Sequence, residues 1–284
     1  MLVFLKNIAG GGSKTIGCES TDSIQRERLA TEVSTKISMS GNVTKAMILA
    51  AGEGTRLHPL TQWTPKALLH IREIPLIQYT LAWLKGHGIS EVAINLHHAG
   101  DKIRAFLGCG SKFGVRIHYS PEKELLGTAG GAKKMEEFFD STFLVVYGDI
   151  LTDFNLSAMT DFHKQKKSLV TLALFKASNP WEVGNVEVNR QGKLLSFKEK
   201  PPRGSESSNL SSGGIYVFKK EILDYIPSHG YCDFGYDIFP KLLALHLPVY
   251  GYVLKTKDYL IDIGTTDKYR KANEDVETGK VKIV

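Results

Sequence analysis

The sequence has few cysteines, no long run of apolar residues and only a small excess of positive charge. Its three cysteines, Cys18, Cys109 and Cys232, are an odd number without a Cys-x-x-Cys pair, which argues against a disulfide framework or a zinc site and favours the reducing cytoplasm. The longest apolar stretches are strand-sized, whereas a membrane span needs about 18 apolar residues, so we expect no membrane partner. Lys and Arg total 36 against 30 Asp and Glu. This surplus suits anionic small molecules, and without an aromatic and basic recognition motif we expect no nucleic-acid partner.

Composition divides the 284 residues into a short N-terminal part and one long domain. Residues 1–44 contain a Gly-Gly-Gly-Ser stretch and a polar segment, which predict a loosely ordered extension. Met39 leaves a second interpretation open, in which the start is assigned too far upstream and translation begins there. Regular patterning begins at Lys45, so residues 45–284 are expected to form a single domain.

The first half of this domain alternates strand-like and helix-like segments. Apolar runs without alternation, which are typical of buried parallel strands, lie at 46–50, 91–96, 115–119 and 143–147. Helix-like patterns lie at 75–85, 101–107, 128–139 and 156–166. Because such alternation favours right-handed crossovers, the sequence predicts an α/β fold with a mostly parallel sheet and helices on both faces.

The second half of the domain changes character. Short strand-like segments joined by turns lie at 169–175, 183–188, 194–198 and 215–218. They predict antiparallel additions to the same sheet, which would make it mixed. A closing helix is expected at 266–276, and since no repeating segments follow it, no C-terminal β-helix is expected.

The strongest local signal is a glycine-rich loop directly after the first predicted strand. It contains Gly52 and Gly54, where backbone amides can approach phosphate oxygens without interference from a Cβ atom. A dinucleotide-binding fingerprint would need a third glycine at the position of Leu57, which excludes that interpretation. Beyond the glycines, Arg56 offers a planar fork for phosphate and Lys66 a mobile point charge. Open parallel sheets bind ligands at this edge, so the sequence predicts a phosphate site here.

This loop is the first of five motifs that stand in a fixed order over residues 45–275. The motifs are the signature loop at 52–66, Leu-Gly-Thr-Ala-Gly-Gly at 126–131, Gly-Asp-Ile at 148–150, Phe-Lys-Glu-Lys-Pro at 197–201 and Ile-Asp-Ile-Gly-Thr at 261–265. In this order and spacing the sequence resembles the sugar-phosphate nucleotidyltransferases, which make nucleoside-diphosphate sugars. The resemblance implies a Rossmann-like nucleotide-diphospho-sugar transferase fold. It also implies two substrates, a nucleoside triphosphate and a sugar-1-phosphate.

Within that family the chain is most similar to the short mannose-1-phosphate guanylyltransferases, notably at 208–210 and 248–253. The expected reaction is therefore formation of GDP-mannose from GTP and mannose-1-phosphate, with release of pyrophosphate. Two alternatives stay open: a glucose-1-phosphate uridylyl- or thymidylyltransferase, and a catalytically silent regulatory or scaffold copy of the fold. A silent copy is expected to lose its phosphate-binding cations and metal carboxylates first, and this chain keeps them. The sequence also leaves a homo-oligomer open.

The resemblance assigns the charged groups of the site. Asp149 and Asp262 stand at separate predicted strand ends, where an aspartate alone could equally cap a turn or helix. Their motifs favour binding of Mg²⁺, which is held by one or two carboxylates, substrate phosphates and water. Arg56, Lys66 and Lys200 are the expected catalytic cations, with Lys200 directed at the phosphate of the sugar-1-phosphate.

The resemblance also assigns the residues that contact the substrates. The nucleotide is expected to contact Leu49, Ala51, Gly52, Gly54, Thr55, Gly127 and Thr128. Because the run 127–131 opens a predicted helix, its free amides are expected to face the base and ribose. On the sugar side, Glu199 is expected to bond sugar hydroxyls and Gly184 to let the sugar approach the backbone, beside Lys200.

Overall fold

The computed structural model describes residues 43–281, and these belong to one compact unit. The predictions for residues 1–42, including the alternative start at Met39, lie outside the described residues. The Val43 side chain is buried in the core, and the Thr44 carbonyl oxygen accepts hydrogen bonds from the Ser90 and Glu91 amides. Packing of the described chain therefore begins at Val43.

Thirteen strands run through the described residues. They are β1 (Lys45–Leu49), β2 (His70–Ile71), β3 (Ile74–Pro75), β4 (Glu91–Leu96), β5 (Arg116–Pro121), β6 (Phe143–Tyr147), β7 (Ile150–Thr152), β8 (Val170–Lys176), β9 (Gly184–Val188), β10 (Leu194–Glu199), β11 (Leu210–Phe218), β12 (Val249–Val253) and β13 (Leu260–Asp262). Nine of them form the central sheet, in the order β10-β9-β11-β6-β1-β4-β5, with β8 beside β11 and β12 beside β8. The other four form two short ribbons, β2 with β3 and β7 with β13.

The first half of the domain forms the parallel part of the sheet, as predicted. β1 lies between β4 and β6, and β5 lies outside β4, all in parallel register. These strands are mostly apolar because both of their faces are covered. On β1, Ala46 and Ile48 enter one core cluster and Met47 enters another, since successive side chains point to opposite faces.

The second half adds the predicted antiparallel strands to the same sheet, and it also adds one parallel strand. β11 pairs antiparallel with β6, β8 and β9, and β10 pairs antiparallel with β9. β12, which the sequence pattern does not predict, pairs parallel with β8. β11 is longer than its predicted core at 215–218, and its register against β8 shifts between Ser212 and Tyr216. Its first part pairs with β9 and its last part with β6.

Six α-helices pack around the sheet. They are α1 (Leu76–Gly86), α2 (Gly100–Leu107), α3 (Gly127–Lys134), α4 (Leu156–Gln165), α5 (Phe239–Ala244) and α6 (Thr266–Glu277). Buried side chains of α1, α2 and α4 join the cluster that contains Ile48, whereas those of α3 and α5 join the cluster that contains Met47. Helices therefore lie on both faces, as predicted, and α6 packs in a third cluster with Leu57 and Ile263.

Some local features differ from the expected pattern. The helix predicted at 128–139 is shorter, because α3 ends at Lys134 and a 3₁₀ turn, Glu136–Phe138, follows it. A single π-helical turn, Phe234–Ile238, leads directly into α5. The residues described after α6 add no strand, and no β-helix coil occurs within 43–281. None of the described helices combines the length and the apolar character that a membrane crossing requires.

Candidate active site

A cavity of about 260 Å³ opens at the carboxyl ends of β1 and β6, the edge at which the phosphate site is predicted. It is lined by Leu49, Ala50, Ala51, Gly52, Lys66, Ala67, Asn95, Glu122, Leu125, Gly127, Thr128, Tyr147, Gly148, Asp149 and Tyr231. The signature loop, the Gly-Thr pair at 127–128 and the aspartate after β6 thus contribute to one cavity. Leu49 and Ala51, which are also predicted to contact the nucleotide, line it as well, whereas Asn95, Glu122 and Tyr231 are among the lining residues that the motifs do not identify.

The shape of the signature loop depends on Gly54, whereas Gly52 has open space around its backbone. Gly54 has a φ of 69°, and its carbonyl oxygen accepts a hydrogen bond from the Thr61 hydroxyl at 2.7 Å. A Cβ atom on Gly54 would lie 3.1 Å from Thr61 Cγ2, so both the left-handed backbone and the tight packing require glycine. A Cβ atom on Gly52 would meet nothing within 4 Å. The backbone at Gly52 is therefore accessible to a ligand in the cavity, whereas Thr55 begins a 3₁₀ turn that continues through Arg56.

Lys66 and Asp149 form an ion pair on the cavity wall. Lys66 Nζ lies 2.9 Å from Asp149 Oδ2, and the side chains are 18% and 21% exposed. Asp149 reaches this position because Gly148 allows β6 to approach the end of β1: the Gly148 amide donates to the Leu49 carbonyl oxygen at 2.9 Å. A Cβ atom on Gly148 would lie 2.8 Å from the same oxygen. Two motifs that are far apart in the sequence thus place opposite charges together.

The short ribbon of β7 and β13 brings Asp262 to the same region. Asp262 pairs with Ile150, and the Ile263 amide donates to the Asp149 carbonyl oxygen at 2.9 Å. The Asp262 carboxylate accepts hydrogen bonds from Lys268 Nζ at 2.5 Å and from the Gly264 amide at 3.1 Å. Both predicted metal carboxylates therefore stand at one end of a single two-stranded ribbon, and each has a lysine partner.

Arg56 lies against Gly264, beside the Asp262 carboxylate. A Cβ atom on Gly264 would be 3.0 Å from Arg56 Nη2 and 2.8 Å from Asp262 Oδ1. Arg56 itself is exposed, so its guanidinium can be reached by a phosphate. The structure thus brings Arg56, Lys66, Asp149 and Asp262 together, which we call the phosphate wall, with Lys268 as a member that the sequence pattern does not identify.

The chemistry of the two carboxylates fits a divalent cation. Carboxylate oxygens are hard ligands of the kind that Mg²⁺ prefers, and each group now accepts from a lysine that phosphates could draw away. Within residues 43–281 no third histidine, cysteine, aspartate or glutamate joins them in a group able to hold a metal ion. A cation held here would therefore take its other ligands from substrate and water.

The helix that opens at Gly127 is closed off on one side by the chain near Cys232. The amides of Ala129 and Gly130 both donate to the Cys232 carbonyl oxygen at 3.0 Å, and the Cys232 amide donates to the Leu126 carbonyl oxygen at 2.9 Å. Gly127 has a φ of 77°, and a Cβ atom there would lie 2.4 Å from that same Cys232 oxygen. The prediction that the run 127–131 offers free amides to the nucleotide is therefore wrong for Ala129 and Gly130.

Thr128 also has a structural partner. Its hydroxyl donates to Asp233 Oδ2 at 2.8 Å and accepts from the Phe234 amide at 2.8 Å. Asp233 in turn caps the π-helical turn, where Oδ1 accepts from the Gly235 and Tyr236 amides. The Thr128 side chain therefore connects the segment before α5 to the start of α3, and its contact with a nucleotide stays a prediction.

The predicted sugar-side residues lie on β9 and β10. Gly184 and Glu199 face each other in the antiparallel pair, and the Lys200 amide donates to the Val183 carbonyl oxygen at 3.3 Å. A Cβ atom on Gly184 would lie 2.6 Å from the Phe197 ring and 2.8 Å from Glu199 Oε2. The absence of a side chain at Gly184 therefore makes room for these neighbours, and its contact with a sugar stays a prediction.

Glu199 is a partly buried carboxyl without an ion-pair geometry like that of Asp149. Burial raises the pKa of Glu199, the Lys200 charge lowers it, and the nearby Asp233 raises it further. A Cβ atom on Gly235 would lie 2.7 Å from Glu199 Oε2, which places the carboxyl against the π-helical turn. Lys200 is exposed and has a φ of 44°, a conformation that costs a non-glycine residue free energy. We call Glu199, Lys200, Asp233 and Gly235 the sugar wall.

A buried polar pair at the back of the cavity is absent from the predicted set. Asn95 Nδ2 donates to Glu122 Oε1 at 2.8 Å, and Asn95 Oδ1 accepts from the Ala50 amide at 2.8 Å. Glu122 Oε2 accepts from the Leu126 amide at 3.1 Å, and the glutamate is 6% exposed. Asn95 lies near the carboxyl end of β4 and Glu122 directly after β5. The rule that ligands bind at this edge of a parallel sheet could have identified both.

Comparisons with known proteins identify the family. The model of the nucleotidyl transferase family matches residues 45–279. The chain is 37% identical over 256 residues to a UTP–glucose-1-phosphate uridylyltransferase of Synechocystis sp., covering 84% of this chain and 65% of that protein. It is 31% identical over 246 residues to a mannose-1-phosphate guanylyltransferase of Mycobacterium tuberculosis, covering 85% and 67%. The chain thus spans about two thirds of the length of these relatives.

A solved structure agrees with the sequence comparison. HddC from Yersinia pseudotuberculosis superimposes with a TM-score of 0.71 at 25% identity, covering 82% of this chain and 100% of that one. A second crystal structure of HddC, complexed with GMP-PN, superimposes with a TM-score of 0.69. The predicted family and its fold are confirmed: the chain belongs to the nucleotidyl transferase family, the sugar-1-phosphate nucleotidyltransferases.

Proposed function

We propose that this chain joins a nucleoside triphosphate to a sugar-1-phosphate, forming a nucleoside-diphosphate sugar and pyrophosphate. The observation that carries the proposal is the phosphate wall, where Arg56 and Lys66 meet Asp149 and Asp262 beside the cavity. Two anionic substrates must meet in this reaction, so neutralising and positioning their charges supplies most of the rate. The retained cations and carboxylates also argue against a catalytically silent copy of the fold.

In the proposed reaction an oxygen of the sugar-1-phosphate attacks the α-phosphorus of the triphosphate, and the bond to pyrophosphate breaks. Arg56 and Lys66 bind the triphosphate, and Lys66 exchanges Asp149 for a phosphate oxygen when the nucleotide arrives. Lys200 holds the attacking phosphate. Asp149 and Asp262 would hold Mg²⁺, which supplies Lewis-acid stabilisation of the charge that develops on the phosphates.

We propose GTP as the nucleotide because of Glu122. Its carboxylate is buried at the cavity wall and can only accept hydrogen bonds when ionised. Guanine presents two adjacent donors, N1–H and the N2 amino group, which match the two oxygens of a carboxylate. Uracil presents one donor between two carbonyl oxygens, which a carboxylate would repel. The HddC complex with GMP-PN and the guanylyltransferase relative support the same choice.

We propose mannose-1-phosphate as the sugar substrate, on the guanylyltransferase relative and on the resemblance at 208–210 and 248–253. Those segments act through the fold: Asn185 Nδ2 donates to the Ser208 and Leu210 carbonyl oxygens, and β12 packs beside β8. Direct contact with the sugar would fall to Glu199, whose partly buried carboxyl can bond hydroxyls. Glucose-1-phosphate with UTP is the second candidate, because the uridylyltransferase relative has the higher identity.

A pyrophosphate-release assay over a matrix of nucleoside triphosphates and sugar-1-phosphates tests the proposal. We expect magnesium-dependent release that is greatest for GTP with mannose-1-phosphate. Asp149→Asn serves as the matched inactive control, since it separates activity of this chain from that of a contaminant. A tenfold or greater preference for another pair would refute the substrate choice and leave the reaction class standing. Absence of release with every pair would refute the reaction class itself.

A further inference from the structure

An exposed tyrosine stands at the mouth of the cavity without a role in the proposed chemistry. Tyr231 lines the cavity and yet is 68% exposed, and Leu125, also in the lining, is 38% exposed. Covering large apolar groups at such exposure with a flat ligand is favourable, because it removes apolar surface from water. The cavity thus has uncovered apolar surface at its opening, in addition to its polar groups.

The two residues that follow Tyr231 hold its backbone in place through hydrogen bonds. Cys232, the next residue, accepts two amide hydrogen bonds from the start of α3 and donates one to Leu126. Asp233, one residue further, accepts from the Thr128 hydroxyl. On the other side, the Gly230 carbonyl oxygen lies 3.1 Å from the position of a Cβ atom on Gly130. The segment that contains Tyr231 is therefore held beside Gly127 and Thr128 by hydrogen bonds and packing.

The polar groups of the cavity leave one part of a nucleobase without a partner. Glu122 is buried and Lys66 lines the same cavity, so in the proposed function Glu122 meets the hydrogen-bonding edge of the base and Lys66 meets the phosphates. The flat face of the base still needs an apolar surface. Aromatic side chains provide such a surface, because every base has a flat π-face that can stack on an aromatic ring.

We infer that Tyr231 stacks on the nucleobase and is a specificity-determining residue for purine over pyrimidine nucleotides. This inference rests on the proposed function, which puts the nucleotide in this cavity. Leu125 contributes further apolar contact at the opening. A purine offers two fused rings to the tyrosine and a pyrimidine only one, so removal of the tyrosine ring should cost more affinity for GTP than for UTP.

Calorimetric titration with GTP, UTP and inorganic tripolyphosphate tests the inference without requiring turnover. We expect Tyr231→Ala to weaken GTP binding about tenfold, to weaken UTP binding less, and to leave tripolyphosphate binding unchanged. Tyr231→Phe keeps the ring and should retain GTP affinity within about twofold. Leu245→Ala removes another side chain that is 53% exposed, outside the cavity lining, and should change none of the three affinities.

Two results would overturn the inference. One is a Tyr231→Ala variant that binds GTP as tightly as the wild type. The other is a wild type that binds GTP no more tightly than tripolyphosphate, since the base would then add nothing. If either result accompanies pyrophosphate release in the substrate matrix, the stacking role fails and the proposed function stands. If the matrix shows no release, the proposed function fails separately.

Discussion

The phosphate wall and the sugar wall handle charge in opposite ways. On the phosphate wall, each carboxylate has a cation at ion-pair distance, Lys66 with Asp149 and Lys268 with Asp262. On the sugar wall, burial raises the pKa of Glu199, the Lys200 charge lowers it and the nearby Asp233 raises it. Ion pairs can exchange partners with incoming phosphates. Partly buried carboxyls, in contrast, suit neutral hydroxyl groups, which need acceptors but bring no charge.

The two walls also differ in how the backbone builds them. The phosphate wall follows the ends of parallel strands and a two-stranded ribbon, where consecutive residues of a motif reach the site together. The sugar wall combines an antiparallel strand pair with a π-helical turn, and it joins α3 through the contact of Thr128 with Asp233. Changes to the first wall should therefore act on the chemistry, and changes to the second on binding and stability.

The largest effect is expected from removing charge on the phosphate wall. Asp149→Asn and Asp262→Asn should each reduce turnover about a hundredfold or more, which corresponds to about 3 kcal/mol of transition-state stabilisation. If the two residues share one ion, the double variant should lose much less than the sum, because residues that act as a unit are not additive. Steady-state kinetics at saturating magnesium, with thermal melts to confirm folding, measure this.

The matched control for these variants is Asp267→Asn on α6. Its side chain is 87% exposed and pairs with Arg270 on the surface, so turnover should be unchanged. Near-wild-type turnover of Asp149→Asn or Asp262→Asn would remove that residue from the proposed metal site. Full additivity in the double variant would show that the two do not share an ion.

A smaller effect is expected where the sugar wall joins α3. Thr128→Val removes the hydroxyl that donates to Asp233 and accepts from the Phe234 amide, and it leaves both partners unsatisfied. The free energy of unfolding should fall by about 1–3 kcal/mol, and the KM values for both substrates should rise. Thr128→Ser keeps the hydroxyl and should stay near wild type in denaturant titrations. Equal stability of the two variants would show that these hydrogen bonds do not stabilise the junction of the sugar wall with α3.

A change confined to the sugar wall should separate the substrates. Lys200→Ala removes a cation that we place at the sugar-1-phosphate, so the KM for that substrate should rise about tenfold, or about 1.4 kcal/mol, with nucleotide binding nearly unchanged. Lys200→Gly removes the same charge and also relieves the backbone strain at a φ of 44°, so it should be the more stable variant by about 1 kcal/mol. Equal rises in KM for both substrates would argue against this division of roles.

The smallest effect concerns the pH dependence of stability. Because burial raises the pKa of Glu199 in the folded state, the folded protein binds this proton more readily than the unfolded chain does. Ionised Glu199 therefore destabilises the fold, and the penalty disappears as the pH falls below the unfolded pKa of about 4.3. Glu199→Gln should melt slightly higher than wild type at neutral pH and equally near pH 4. Glu187→Gln on β9 is the control, and a gain from Glu199→Gln that stays constant with pH would contradict the cause.

The sequence predicts the phosphate wall better than the sugar wall for a physical reason. Three of the four parallel strands, β1, β4 and β6, are mostly apolar on both faces, which makes them recognisable, and the residues that follow the parallel strands meet at one sheet edge. The contacts of Cys232 with Ala129 and of Asp233 with Thr128 join residues about a hundred positions apart, through backbone groups and a hydroxyl. No local sequence pattern predicts such contacts. The sequence therefore predicts free amides at the start of α3, whereas the Cys232 carbonyl oxygen accepts hydrogen bonds from two of them.

Strand β11 pairs with β9 through its first part and with β6 through its last part, and this pairing limits the size of substrate that the site can accept. β8 pairs with one edge of β11, so β9 at Leu210 and Ser211 and β6 at residues 215–218 both pair with its other edge. Glu199 ends β10 beside β9 and Asp149 follows β6, so the sheet fixes the spacing of the two walls through β11 itself. A longer sugar phosphate could not be accommodated by a swinging domain, because widening the gap would break main-chain hydrogen bonds in the sheet itself. Substrate length is in this sense set by the spacing of strands.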